Sequence, residues 1–217
     1  MSALSALRIV SDLAEAQSGM FTTRQAAGLG VERRDLARLW KAEVLERVAH
    51  GVYKIAAVPQ GPHNEVMAAW MQLAPALQVD QRTAAEGVVS HATAAVIHGA
   101  RLLTPFAIDF TIPPSPHRIR PHRDDVRVHR AQLSQSDVRQ LREGPLAGML
   151  VTTRERTIVD LAASRIDLDH LADAFSEMHL HPTKDKDLRS RLEPYVNDYG
   201  FDDGAELLEA LADTTRA

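Results

Sequence analysis

The chain of 217 residues has room for one large domain or two small ones, and its 45% hydrophobic and 25% charged residues match an ordinary water-soluble globular protein. It contains no cysteine, which excludes disulfides and thiolate metal sites and suits a reducing compartment. The formal net charge of −4 does not exclude a nucleic-acid partner, because residues 1–60 hold eight Lys/Arg against six Asp/Glu, residues 101–130 six against three, and residues 161–217 six against thirteen.

The opening residues carry Arg8, Asp12 and Glu15 inside an amphipathic pattern and read as a helix rather than a signal peptide. No stretch approaches the roughly 18 apolar residues of a membrane span, so no membrane is expected and the cytoplasm is the expected setting. Leu4, Leu7, Val10, Leu13, Ala14 and Gln17 follow helical spacing and predict a first helix over 3–17, ended by Ser18-Gly19. Thr22 followed by Gln25 has the spacing of a capping box, with Phe21 before it as a hydrophobic staple. The short helix that follows runs to about Leu29, where Gly30 supplies a left-handed exit.

A helix over about 32–43 comes next. With Leu36 as origin and about 100° per residue, Leu39 and Trp40 flank it on an apolar face, while Arg34, Arg38 and Lys41 gather opposite and Arg33 lies on the flank. This is the layout of a recognition helix, one face docked and the other cationic. Leu45–Ile55 then reads as two short strands about His50-Gly51, a hairpin wing offering Arg47, His50, Tyr53 and Lys54. A winged helix-turn-helix over 1–58 is therefore expected. Its candidate DNA contacts are Thr22, Thr23, Arg24, Arg33, Arg34, Arg38, Lys41, Arg47, His50, Tyr53 and Lys54.

The run from Phe21 to Ile55 resembles the N-terminal domain of the AbiEi antitoxin family of abortive-infection toxin–antitoxin pairs. Its carriers are the threonine-rich opening of the helix-turn-helix and the Leu45-Glu46-Arg47…Gly51-Val52-Tyr53 hairpin.

Ala56-Ala57-Val58-Pro59-Gln60-Gly61-Pro62 reads as a linker to a second domain over 63–217. A helix is expected over Asn64–Leu77 with Val66, Trp70 and Leu73 inward, and Ser90 is expected to cap another. Ile108, Phe110 and Ile112 alternate with Asp109 and Thr111 as in a half-buried strand. Val126 and Val128 alternate likewise, and Met149–Val151 is a third strand leading into a helix over Thr153–Ala163. The rest reads as helices, acidic over Asp198–Asp213. Helices and strands without regular βαβ alternation predict an α+β fold, a winged helix-turn-helix followed by a mixed domain ending in helices.

More loosely, Ser90-His91-x-x-Ala94, Val126–Arg130 and Arg156-Thr157-x-x-Asp160 resemble further segments of the same family. A related group adds a nuclease domain, for which the 57 residues after Asp160, read as helices, leave no strands to carry its carboxylates. The resemblance implies an antitoxin that binds operator DNA, represses its own operon and counters a nucleotidyltransferase-like toxin. A plain effector-responsive regulator and an antitoxin acting enzymatically on its toxin by phosphotransfer stay open beside it.

Pro113–Arg123 forms a stiff cationic stretch, and Arg118, Arg120, Arg123 and Arg127 are secondary candidates for nucleic-acid or partner contact. His117, His122 and His129 match no usual ligand spacing, so no metal is expected. Ser90-His91 lacks a nucleophile-elbow glycine frame and no phosphate-binding glycine loop occurs, so neither a catalytic residue nor a cofactor is assigned.

Overall fold

The computed structural model describes residues 1–114, 123–182 and 186–213, without the side chain of Lys186. The fold is α+β with two sheets. In the N-terminal head, α1 (Ala3–Glu15) starts at Ser2, whose hydroxyl accepts from the Ser5 N–H, and buries Ala6, Val10, Leu13 and Ala14. Leu4, although in phase with that face, lies 77% exposed at the helix start. The chain reverses through Ser18 and Gly19, both at positive φ; a side chain at Gly19 would meet Val58 at 2.8 Å.

Next comes β1 (Met20–Thr22), then α2 (Thr23–Gly28), whose N-terminus closes the expected box: Thr22 Oγ1 accepts from Gln25 N–H, and Gln25 Oε1 accepts from Thr22 N–H. Phe21 is not a staple on a loop but a strand residue, fully buried and stacked on Tyr53 with ring centroids 6.0 Å apart. After Gly30 at φ 81° the chain enters α3 (Arg33–Lys41) and the hairpin β2 (Leu45–Ala49) and β3 (Val52–Ile55). The order β1-β3-β2 is antiparallel, with a bulge between Arg47 and Ala49. Phe21, Ala26, Leu36, Leu39 and Leu45 join α1 in the head's core.

Beyond the head, α4 (Asn64–Leu73) ends four residues earlier than its apolar pattern suggests. Pro75 ends it, leaving Ala74 outside the helical region, and Arg82 takes up the freed carbonyls: its guanidinium donates to Trp70, Met71 and Ala74 and lies 4.5 Å over the Trp70 ring. The second sheet runs β6-β5-β4-β8-β7, formed by β4 (Val88–Val89), β5 (Ile108–Ile112), β6 (Val126–Arg130), β7 (Val138–Gln140) and β8 (Leu150–Thr152). β5–β6 and β4–β8 are parallel, β4–β5 and β7–β8 antiparallel.

One core lies between α4 and this sheet, through Trp70, Met67, Phe110, Val89 and Val151, and it also takes in Met20 and Val52 of the head. A further core joins α5 (His91–Ile97), α6 (Arg154–Ala163), α7 (Leu168–Glu177), α8 (Lys186–Leu192) and α9 (Gly204–Asp213). The sheet thus has cover on both faces, and all five residues of β5 are buried rather than every second one. Among the described residues no helix is long and apolar enough to cross a membrane.

Candidate nucleic-acid interface

A groove of about 430 Å³ opens between α2, α3 and the hairpin, lined by Thr23, Arg24, Arg33, Arg47, His50, Gly51 and Tyr53. Arg24 projects from the start of α2, Arg33 from the start of α3 and Arg47 from β2, all exposed. None of the three forms an ion pair among the described residues. Arg47 Nη2 lies 3.3 Å from His50 Nδ1. The wing turn is tied to α2 by Thr23, whose N–H and hydroxyl both donate to the Gly51 carbonyl, at 2.8 and 3.2 Å. Three cations around one concavity, none in an ion pair among the described residues, can together neutralise a polyanion such as a phosphate backbone.

The residues grouped opposite Leu36 by helical spacing are engaged differently. Arg34 pairs with Glu32 at 3.1 Å, fully in solvent. Arg38 pairs with Asp35 and donates to the Met1 carbonyl at 3.0 Å, leaving Lys41 exposed at the helix end. Burial alone would raise the Asp35 carboxyl, but the Arg38 hydrogen bond and the Glu32 backbone hold it below the usual carboxylate range. Because Asp35 is buried with Leu36 and Leu39, α3 docks rotated by roughly 50° from the axis set by Leu36, and Trp40, expected to be inward, is 48% exposed.

Two of the expected contacts face inward. Lys54 is 1% exposed, its ammonium donating to the Val58 carbonyl and paired with the exposed Glu46 at 3.4 Å, so a phosphate contact would require drawing the ammonium out of these internal bonds. Thr22 is likewise buried, its hydroxyl used on Gln25 and on the Pro75 carbonyl. Arg118 and Arg120 lie outside the described residues. Arg123 is occupied by Asp125 and Glu65, while Arg127 is exposed on the edge strand β6.

A second polar assembly lies between the large sheet and its helical cover. Ser90 sits at the start of α5 but makes no capping bond; its Oγ lies 2.9 Å from His91 Nδ1 and accepts from Thr111 Oγ1 at 2.8 Å. The His91 and His129 rings stack at 3.6 Å, and His129 Nε2 reaches Asp109 Oδ1 at 2.8 Å. On α6, Arg156 Nε donates to Asp160 Oδ1 at 2.7 Å, the ion pair their i, i+4 spacing predicts, while Asp160 Oδ2 is buried with no hydrogen-bond partner. Asp137 bridges Arg156 at 3.6 Å and Arg191 at 2.6 Å.

Burial, reinforced by the neighbouring His129, Arg156 and Arg127, pushes His91 down to about 3. Burial lifts Asp160 to about 6 against the pull of Arg156. His91 also holds φ 52°, in the left-handed region where a non-glycine residue is strained. The Ser90-His91, Val126–Arg130 and Arg156…Asp160 segments, far apart in sequence, thus meet in one seam. The described residues hold no group of three or more His, Cys, Asp or Glu able to bind a metal.

No curated protein matches the chain. A solved structure, the RV2827C protein of Mycobacterium tuberculosis, is similar with 16% identity and a TM-score of 0.45, over 95% of this chain and 80% of that one. From within α1 to the end of the wing, residues 8–56, the sequence matches the family described as "Transcriptional regulator, AbiEi antitoxin".

Proposed function

We propose that the protein is a DNA-binding antitoxin of the cytoplasm, whose head, residues 1–58, binds operator DNA and represses its own operon, and whose remainder, residues 63–217, counters a nucleotidyltransferase-like toxin. The observation that carries the DNA half is the groove between α2, α3 and the wing, where Arg24, Arg33 and Arg47 stand exposed beside His50. Its width is bounded by elements that hydrogen-bond one another, so the cations are presented without prior ordering of loops. Arg34, Arg38 and Lys41 on the outer face of α3 add charge along the same helix. The toxin half rests on the family description of residues 8–56.

The test is a gel-shift titration of the full chain on its own upstream DNA at several salt concentrations, with a scrambled duplex as control. Specific binding whose salt slope falls in an Arg24→Ala/Arg33→Ala/Arg47→Ala variant supports the reading. Equal affinity for the two duplexes would sink operator recognition. For the toxin half, the test is co-expression with a nucleotidyltransferase-like toxin, sought in the gene next to this one: growth that the chain does not restore overturns it.

A further inference from the structure

One wall of the groove does not come from the head. Gln72, in the last turn of α4, and Pro75 line it with the wing, and Gln72 Nε2 donates to the His50 carbonyl at 2.8 Å. Below this contact the two parts share a buried polar clasp. Gln25 Nε2 donates to the Leu77 carbonyl at 2.7 Å and to Gln17 Oε1 at 2.9 Å. That Gln17 oxygen also accepts from the Val79 N–H at 3.1 Å, and Thr22 Oγ1 donates to the Pro75 carbonyl. Met20 and Val52, from the strands that carry the groove, are buried in the core beneath α4. Buried amides and apolar side chains facing segment 72–79 from the head would be left unsatisfied without it.

We propose that segment 72–79 is a clamp on the wing and that Gln72 is a positioning residue, setting the pose of the His50 turn and with it of Arg47. The proposal rests on the reading of the groove as a nucleic-acid site. The clasp fixes segment 72–79 to α1 and α2, and Gln72 then reaches from that fixed base to the tip of the wing. Wing and helices are thereby held at one separation, and the Arg47–His50 pair meets the ligand already oriented. The same connection runs the other way: a ligand that shifts the end of α4 changes the affinity of the groove, and an occupied groove changes the affinity for that ligand by the same factor.

The experiment compares full-length wild type with Gln72→Met, which keeps length but loses the donor, and Gln72→Lys, which restores one. Hydrogen exchange over Arg47–Tyr53 is measured without nucleic acid, and affinity for a duplex from the chain's own upstream DNA is measured at several salt concentrations. Gln72→Met is expected to exchange faster across the wing and to bind about threefold to tenfold more weakly, the worth of one neutral hydrogen bond. Its salt slope is expected to match wild type, because no phosphate contact is lost, and Gln72→Lys is expected to regain the slow exchange. Unchanged exchange in Gln72→Met overturns the proposal. If exchange responds as stated and no form binds duplex, the clamp stands and the nucleic-acid reading of the groove falls.

Discussion

The head's groove and the seam beneath the large sheet both concentrate ionisable side chains, and they use them in opposite ways. In the groove, Arg24, Arg33 and Arg47 stand in solvent without an ion pair among the described residues. In the seam, Asp109 pairs with His129, Asp160 with Arg156, and Asp137 with Arg156 and Arg191, largely out of solvent. Charge held in high dielectric adds little to folding and stays available to an outside anion. Paired charge in a buried layer contributes to the choice of one arrangement of sheet and helices, and removing one partner leaves the other stranded. Substitutions in the seam should therefore act on stability and those in the groove on binding.

The largest effect is expected from Arg156→Met. It strips the carboxylate of Asp160 of its partner while Asp137 keeps Arg191, and it should cost about 3 kcal/mol at pH 7 in chemical denaturation. The loss should shrink in mild acid, since an unpaired buried Asp160 takes up a proton. A cost below about 0.5 kcal/mol, the usual range for a surface position, would show the seam to be no different from the groove.

The Arg24→Ala/Arg33→Ala/Arg47→Ala variant is the counterpart. If each guanidinium neutralises one phosphate, the salt slope falls by about 2.7 and affinity near physiological salt by about a hundredfold, whereas the denaturation midpoint hardly moves. An Arg34→Ala/Arg38→Ala/Lys41→Ala variant should lose less, because two of its three cations are already paired to acids at the start of α3. The reverse ranking would place the ligand along the outer face of α3 instead of in the groove.

That ranking differs from what helical spacing suggests, and the reason is physical. Periodicity reads the elements well: the capping box of α2, the glycine exit and the hairpin all depend on residues within a few positions of one another. Periodicity places the docked face of α3 by its apolar residues alone, and the buried carboxyl of Asp35, bonded to the Glu32 N–H and to Arg38, turns that face away from Arg33 and Trp40. Strand β1 is hidden because its three residues form a strand only by pairing with β3, some thirty positions away. Burial of Asp109 and Thr111 on an alternating strand is likewise invisible until His129 and Ser90 arrive opposite them. Local chemistry is legible; convergence of distant segments is not.

The seam's own titration gives the next effect. His91 is depressed to about 3, so the stability tied to its neutral form is present above about pH 6.5 and is lost as pH falls through the folded value. Asp160, raised to about 6, has the opposite sign: its contribution is full below about pH 3.8 and is lost as pH rises toward 6. Wild type therefore carries two opposed slopes between pH 6 and 4. Asn tolerates the left-handed backbone at position 91 and does not titrate. The His91→Asn variant, less stable at pH 7 for want of the stacked ring, should keep about 2 kcal/mol more of its pH 7 stability at pH 4.5 than wild type does. Parallel pH profiles for the two would remove His91 from the account.

Thr22 tests the boundary between the two regions, since it lines the groove yet is buried and committed to internal bonds. Its hydroxyl accepts from Gln25 N–H and donates to the Pro75 carbonyl, joining the cap of α2 to the clasp beneath the wing. If those bonds are its role, Thr22→Ala costs about 1 kcal/mol of stability, as loss of an N-cap does, and Thr22→Ser restores most of it. The salt slope of duplex binding then stays at the wild-type value in both variants. A hydroxyl that instead contacts phosphate would show the converse, a denaturation midpoint unmoved by alanine and an affinity that falls. Position in a groove does not by itself make a side chain part of the interface; what its polar atoms are already bonded to decides that.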